Sequence, residues 1–280
     1  MSISKLTYKE YSFAHHSEVY KVLEDVFFRN DIKYYLIGAN ARDVQLYKAG
    51  IKPTRGTADV DFAVMVPDFD IYASLLSELC TLGFKKTKEL YRLIFEQTNT
   101  VLDIMPYGKI EQDYTVSFNE RDITLSVLGF KEVGEFSERV KIQEEGYELP
   151  VSPLEGILIL KLISWNEKRE YRTKDIEDIS FLIDHAWELY QEEAYENHLD
   201  LFEDNFEIMN IAAQIIGRKM RPILQKNKKL YKTILSIIKK AAIDKQKAEN
   251  PEIILAQRTG KSLEEVQTLL SFILLGIQET

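Results

Sequence analysis

Cysteine is almost missing from this 280-residue chain: Cys80 is the only one. One thiol excludes an internal disulfide framework and a cysteine-built zinc site, and its expected place is a small buried position on a helix. Proline (7) and glycine (12) are sparse, too few for a low-complexity or fibrous chain. No window approaches the ~18 uncharged apolar residues of a membrane span. The opening Met1-Ser2-Ile3-Ser4-Lys5 has no apolar stretch of the kind a secretory signal needs. The expectation is a cytoplasmic protein without a membrane partner. No internal repeat is visible, and no Walker loop, nucleophile elbow or dinucleotide fingerprint occurs.

What is present is ordinary for a globular protein: 45% hydrophobic and 29% charged residues. The net charge of −9 argues against uniform charge-driven binding to nucleic acid. That average hides an asymmetry. Asp184 to Glu207 holds nine acidic residues and no Lys or Arg, whereas Arg218 to Lys247 holds eleven basic residues and one acid, Asp244. Glu188, Glu192, Glu196, Asp200, Glu203 and Glu207 step at helical spacing, and Arg218, Arg221, Lys228, Lys232 and Lys239 fit a second stripe. Two solvated helix faces, partly paired with each other, are one reading. A basic surface for an RNA backbone is the other.

The periodicity predicts a mixed α/β first half and a helical second half, with the change near residue 150. A helix is expected over about Tyr8 to Arg29, then a buried strand over Ile32 to Ile37 ended by Gly38. Asn40 to Lys48 reads as a short helix, Ala58 to Val66 as a strand and Asp70 to Leu82 as a helix. Tyr91 to Gln97 and Val101 to Met105 read as a hairpin around Thr98-Asn99-Thr100, with shorter strands near Ile123 to Leu128 and Arg139 to Glu144. Ser152-Pro153-Leu154-Glu155 and Ser262-Leu263-Glu264-Glu265 both read as capping boxes that open helices. The expected architecture is α/β (α+β): a mixed sheet with flanking helices over residues 1–150, then an all-helical region over 151–280.

Alternation along the second strand puts Thr57, Asp59 and Asp61 on one face and Val60, Phe62 and Val64 on the other. The two carboxylates then stand roughly 7 Å apart, from a rise of about 3.3 Å per residue. Asp103 sits likewise between Leu102 and Ile104. Three carboxylates on neighbouring strands repel one another and call for a compensating cation. Oxygen-only donors select a hard ion such as Mg²⁺, which is held by a few carboxylates together with substrate phosphates. Upstream, Gly38-Ala39-Asn40-Ala41 lies at a strand-to-helix turn whose backbone amides suit an anion. In the helical half, Leu154, Ile157, Leu158, Lys161 and Trp165 share one helix face. A lysine within an apolar stripe must snorkel, pair with a carboxylate or face a ligand. His15, His16, His185 and His198 lack metal-ligand spacing and read as surface or capping residues.

Taken in order, Ile37-Gly38-Ala39-Asn40-Ala41, Arg55-Gly56-Thr57-Ala58-Asp59-Val60-Asp61 and Leu102-Asp103-Ile104 resemble the polymerase-β-type nucleotidyltransferase superfamily. Lys161, Arg169 and Lys174-Asp175-Ile176-Glu177-Asp178 extend the resemblance to the abortive-infection toxins of AbiEii type, over roughly residues 30 to 185. Ala39 departs from the pattern, because the superfamily has Gly or Ser there and a serine would add a hydroxyl contact to phosphate. The resemblance implies a nucleotidyltransferase-fold catalytic core in 1–150, with helices 152–184 completing the active site. It implies two Mg²⁺ (or Mn²⁺) ions with a bound nucleoside triphosphate, held by Asp59, Asp61 and Asp103, with Asp103 also helping to activate the acceptor hydroxyl. Lys161, Arg55 and Arg169 are then expected to stabilise the triphosphate and leaving pyrophosphate. Gly38, Ala39, Asn40, Arg42, Thr57, Lys174, Asp175 and Asp178 would line or orient the nucleotide site. Asp175 and Asp178 either orient Lys161 and Arg169 or act directly.

The implied activity is transfer of a nucleoside monophosphate, as a toxin acting on RNA such as a tRNA end and paired with a cognate antitoxin. The same motifs also fit an antibiotic (aminoglycoside or lincosamide) nucleotidyltransferase. A nucleotide-binding regulatory protein without turnover is a third reading, against which the intact aspartate trio stands.

Overall fold

The computed structural model describes residues 16–52, 57, 59–118, 122–141, 148–168, 172–204, 206–243 and 251–279, with the side chains of 241–243 and 251–253 aside. Tyr8 to His15, Arg55 and Arg169 fall outside these residues, and so does the part of the basic run from Asp244 to Lys247. Two compact units divide the chain, Met1–Pro153 and Leu154–Thr280.

In the first unit, helix α1 (His16–Arg29) buries Val19, Tyr20, Leu23, Val26 and Phe27 along one face, the apolar stripe of an amphipathic helix. Asp31, at φ 51°, turns the chain into β1 (Lys33–Ile37). Gly38 at φ 71° then opens α2 (Gly38–Lys48). After β2 (Asp59–Met65) comes α3 (Phe69–Thr81), whose Asp68 cap accepts from the Ile71 amide at 2.9 Å. Cys80 lies on α3 and is half-buried rather than buried.

The remaining strands are β3 (Phe84–Lys86), β4 (Arg92–Phe95), β5 (Thr100–Tyr107), β6 (Thr115–Phe118), β7 (Ile123–Ser126), β8 (Glu138–Lys141) and β9 (Glu148–Val151), with the short α4 (Phe130–Glu135) before β8. Seven strands form one mixed sheet in the order β3-β4-β5-β2-β1-β9-β8, and β6 and β7 pair separately. At its centre β2 runs antiparallel to β1 and parallel to β5. A central strand flanked on both edges reads as Val60, Phe62, Ala63 and Val64, all fully buried. The sequence pattern does not announce the short strands β3, β6 and β9.

The second unit is helical: α5 (Leu154–Glu167), α6 (Thr173–Asp184), α7 (Ala186–Asn197), a 3₁₀ turn (Leu199–Leu201), α8 (Ile208–Gln225), α9 (Lys228–Ile243), α10 (Pro251–Thr259) and α11 (Leu263–Gln278). The two capping boxes differ in outcome. Ser262 and Glu265 form theirs, each side chain meeting the other's backbone amide. At the first, α5 starts at Leu154, the Ser152 hydroxyl lies 3.2 Å from the Pro153 carbonyl, and Glu155 instead accepts from the Tyr190 hydroxyl at 2.8 Å. A buried tyrosine hydroxyl needs an acceptor, and that need outweighs the cap. Nor is the apolar stripe of α5 narrow. Glu155, Gly156, Ile159, Leu162 and Ile163 are buried beside Ile157, Leu158, Lys161 and Trp165, as befits a helix enclosed on most sides.

The acidic run is not one helix face. α7 ends at Asn197, the 3₁₀ turn follows, and Glu203, Asp204 and Glu207 lie in the connection to α8. Pairing between the two charge blocks does occur: Arg218 bonds Asp200 at 2.5 Å and Lys219 bonds Glu193 at 2.9 Å. α8 and α11 cross at two glycines. A Cβ on Gly217 would overlap the Ile273 carbonyl and lie 2.9 Å from the Ile277 nitrogen, and one on Gly276 would overlap the Gln214 carbonyl.

Candidate active site on the central strands

Parallel pairing of β2 with β5 sets Asp61 directly beside Asp103, with Asp59 beside Val101. Asp59 and Asp61 are the half-buried positions of a strand whose Val60 and Phe62 are buried, so both carboxylates emerge on one face. The Thr57 hydroxyl accepts from the Asp59 amide at 3.3 Å and pins the strand's entry. Across β1, Asp61 pairs with Ile37, the residue before the Gly38 turn. A Cβ on Gly38 would lie 2.9 Å from the Asp61 Cγ and overlap one of its oxygens. Here the glycine is required twice, for its left-handed φ and for the room that Asp61 occupies.

Asp103 is 7% exposed. Arg92, opposite it in the antiparallel β4–β5 pair, holds it in a fork: Nε donates to Oδ1 and Nη2 to Oδ2, both at 2.7 Å. Such bidentate pairing is the strong form of the Arg–carboxylate bond. These bonds push the Arg92 pKa further up, against partial burial, and the negative charge of Asp59 adds to the shift. Arg92 is therefore within the field of the aspartate group, although the sequence pattern did not single it out.

The other residues of the Gly38 turn are occupied structurally. Asn40 is buried, accepts from the Tyr20 hydroxyl at 2.5 Å, and its Nδ2 meets His16 Nδ1 at 2.9 Å. His16 is thus a buried residue fastening α1 to α2, not a surface or capping one. Arg42 is buried and donates from Nε to Asp43 at 2.8 Å. Gly38 and Ala39 keep partial exposure at the turn.

In the second unit, Lys161 takes the carboxylate-pairing option. Its Nζ lies 2.7 Å from Asp178 Oδ2 and 3.1 Å from Asp175 Oδ1, and all three residues are buried. Arg172 approaches Asp175 at 3.7 Å, while Lys174 is exposed. The polar faces of α5 and α6 thereby meet in one buried cluster.

Among the described residues no group of three His, Cys, Asp or Glu side chains is arranged to hold a metal ion. The hard-oxygen donors Asp59 and Asp61 fit a divalent cation by chemistry, whereas both oxygens of Asp103 are engaged by Arg92. A cleft of about 670 Å³ elsewhere on the first unit is lined by Lys33, Tyr34, Met65, Tyr107 and Arg139, and the aspartates do not line it. No described helix is long and apolar enough to cross a membrane.

No protein-family model matches the chain, and no curated protein matches it. Among solved structures, the antibiotic-resistance factor ANT(2'')-Ia is similar over 72% of this chain and 91% of its own, at 14% identity and a TM-score of 0.39.

Proposed function

We propose that this chain is a metal-dependent nucleotidyltransferase that moves a nucleoside monophosphate from a nucleoside triphosphate to an acceptor hydroxyl. One observation carries the reading: Asp61 and Asp103 stand at the same register on neighbouring parallel strands, with Asp59 on the same face as Asp61. The Gly38 turn, packed on Asp61, adds an anion-suited helix start beside them. The ordered motifs that resemble the polymerase-β-type superfamily support the same reading.

Asp59 and Asp61 would hold Mg²⁺ or Mn²⁺, two ions once the triphosphate is present. When bound, such ions neutralise charge on the transferring phosphoryl group and on the leaving oxygen. The chain's own residues do the rest. Backbone amides at the start of α2 receive phosphate, and Asp103 draws the proton from the acceptor hydroxyl. The acceptor oxygen bonds to the α-phosphorus, the bond from that phosphorus to its bridging oxygen breaks, and pyrophosphate leaves. Arg92, paired with Asp103, adds a positive charge beside the aspartates.

RNA is the acceptor we propose. The exposed Lys228, Lys229, Lys232, Lys239 and Lys240 of α9 are its support, since a run of cations on one helix suits a phosphate backbone. A toxin role restrained by an antitoxin rests on the AbiEii-type resemblance alone. Incubating the chain with each α-labelled triphosphate, Mg²⁺ and total RNA tests the whole reading. Label transferred to RNA by the parent and not by Asp61→Asn supports it. The absence of transfer to RNA, with transfer to a small aminoglycoside or lincosamide instead, replaces the acceptor and keeps the chemistry.

A further inference from the structure

The cleft of about 670 Å³ lies toward the other end of the strands that carry the aspartates. Lys33, Met65 and Tyr107 form one row across β1, β2 and β5, and Ile37, Asp61 and Asp103 form another. The rows stand roughly 13 Å apart along the strands, from a rise of about 3.3 Å per residue. Successive residues of β1 face opposite sides of the sheet. The Tyr34 ring packs on Phe27 of α1 at 4.4 Å between centroids, whereas the Tyr35 hydroxyl donates to the Phe130 carbonyl of α4 at 2.6 Å. The cleft thus wraps the end of the sheet, with α1 on one side and α4 on the other.

Its lining holds three kinds of group. Phe28 is 83% exposed and Tyr34 is half-buried, so two aromatic rings stand open to the cleft. Lys33 and Lys131 make no ion pair among the described residues, and neither do the carboxylates of Glu24 and Asp31. Tyr107 is only 3% exposed, yet its hydroxyl has no hydrogen-bond partner among the described residues. Burial first, then the charges of Glu111 and Glu135, push its pKa up and keep it a neutral donor. A Cβ on Gly134, which lines the same cleft, would lie 3.2 Å from that hydroxyl. A buried donor without a partner calls for an acceptor.

We propose that this cleft is a second ligand site that takes a ribonucleotide, its base against Phe28 and Tyr34, its ribose hydroxyls on Glu24 and Asp31, and its phosphate on Lys33 and Lys131. The Tyr107 hydroxyl then donates to an acceptor of the base or ribose. Aromatic faces stack on bases, carboxylates accept from ribose hydroxyls, and ammonium groups pair with phosphate. Phosphate alone would leave the rings uncovered and would meet two carboxylates to which it has no hydrogen to donate. A neutral aromatic molecule would leave the lysines unpaired. The volume lies within the ~300–1,000 Å³ of small-molecule pockets. The site goes beyond the nucleotidyltransferase reading and does not depend on it.

The test is calorimetric titration of the full chain with AMP, GMP, CMP and UMP in EDTA, where no divalent cation draws phosphate to the aspartates. At least one of the four should bind saturably with one site per chain. Lys33→Glu/Lys131→Glu should weaken that binding at least about tenfold, and Phe28→Ala about fivefold, the loss of one stacking contact. Tyr107→Phe and the 2′-deoxy nucleotide should each lose about three- to tenfold, as expected for one hydrogen bond. Asp61→Asn should bind as the parent does. Inorganic phosphate and the free nucleoside should each bind at least about thirtyfold more weakly than the nucleotide. No saturable binding of any of the four overturns the proposal. So does binding that survives both the lysine and the Phe28 changes, or that shifts with Asp61→Asn. Phosphate or nucleoside binding as tight as the nucleotide's refutes it equally. Lys33, Lys131 and Phe28 are exposed, so these variants keep the test decisive should Tyr107→Phe fail to give the parent's circular dichroism.

Discussion

Gly38 leaves the space that Asp61 fills: a Cβ on the glycine would lie 2.9 Å from the carboxylate carbon and overlap one of its oxygens. The turn that starts α2 and the carboxylate on β2 are therefore one unit, because β1 and β2 pair Ile37 with Asp61.

Gly38→Ala should consequently act on both stability and chemistry. The left-handed φ of 71° costs an alanine about 1 kcal/mol, and relief of the overlap must displace Asp61. Urea unfolding should show a loss of about 1–3 kcal/mol, with nucleotidyl transfer falling at least about a hundredfold. By contrast Asp61→Asn should leave the unfolding midpoint near the parent's while abolishing transfer. A Gly38→Ala protein of parental activity would separate the turn from the site.

Lys161 should prove a structural cation as well as a candidate for function. It lies between buried Asp175 and Asp178, and removing one partner of such a group strands the other's charge, at about 3–5 kcal/mol. Lys161→Met should lower the melting temperature by several degrees, and Lys161→Met/Asp178→Asn should recover part of that loss. Equal melting temperatures for parent and Lys161→Met would show that the cluster contributes nothing to the second unit.

The strand aspartates were legible because alternation is a two-residue rule. Val60 and Phe62 face the core, so Asp59 and Asp61 must face away from it. Arg92 was not legible, because its position depends on the register of the β4–β5 hairpin. A turn centred on Asn99 would set Asp103 opposite Phe95, whereas the observed loop over residues 96–99 sets it opposite Arg92. A shift in pairing changes every cross-strand neighbour, and no spacing in the sequence fixes it. His16 was missed for a related reason: Asn40, whose Nδ2 meets its Nδ1, is distant in sequence. The helix face expected across the acidic run failed because Asn197 and His198 end α7 before Asp200.

Gly217 and Gly276 let α8 and α11 approach backbone to backbone. A Cβ on Gly276 would lie 2.8 Å from the Arg218 nitrogen as well as overlapping the Gln214 carbonyl. Neither contact is the flexible end of a side chain, so relief requires moving a helix. Gly217→Ala and Gly276→Ala should each destabilise the chain by about 2–4 kcal/mol, outweighing the ~1 kcal/mol that alanine gains in helix propensity. Thermal unfolding measures it, and a rise in melting temperature in either variant would contradict the close crossing.

Alkaline pH should weaken the fold in a way that Tyr34 shares. Burial first, and Glu24 second, push its pKa up to about 12, against Arg139. The unfolded chain ionises near 10, so the folded state holds this proton more tightly. The stability Tyr34 contributes is complete below pH 10 and is lost as pH rises from 10 to about 12. At this half-buried position the effect is roughly 1 kcal/mol after solvent screening. Tyr34→Phe should therefore give a shallower fall in urea stability between pH 9 and about 12 than the parent. Identical slopes would mean that Tyr34 titrates alike in both states.

The basic surface is narrower than its sequence implies, and this sharpens its test. Arg218 is engaged by Asp200 and Glu279, Lys219 by Glu193, and Arg221 is half-buried. The exposed stripe is Lys228, Lys232 and Lys239 on α9, opposite buried Leu230, Ile234, Ile237 and Ile238. If this stripe receives RNA, each lysine releases counterions, and log affinity falls with log salt by about 0.7 per contacted phosphate on a single strand. Reversing all three to glutamate should flatten that slope by about 2 and lower RNA affinity at least tenfold near 0.1 M salt. Binding of a triphosphate to the aspartate site should stay at the parent's level, because none of the three belongs to that site. The buried face of α9 is untouched, so the unfolding midpoint should also hold. Parallel salt slopes for parent and triple variant would make α9 a solvated face, and the acceptor would then have to be recognised by groups other than these lysines.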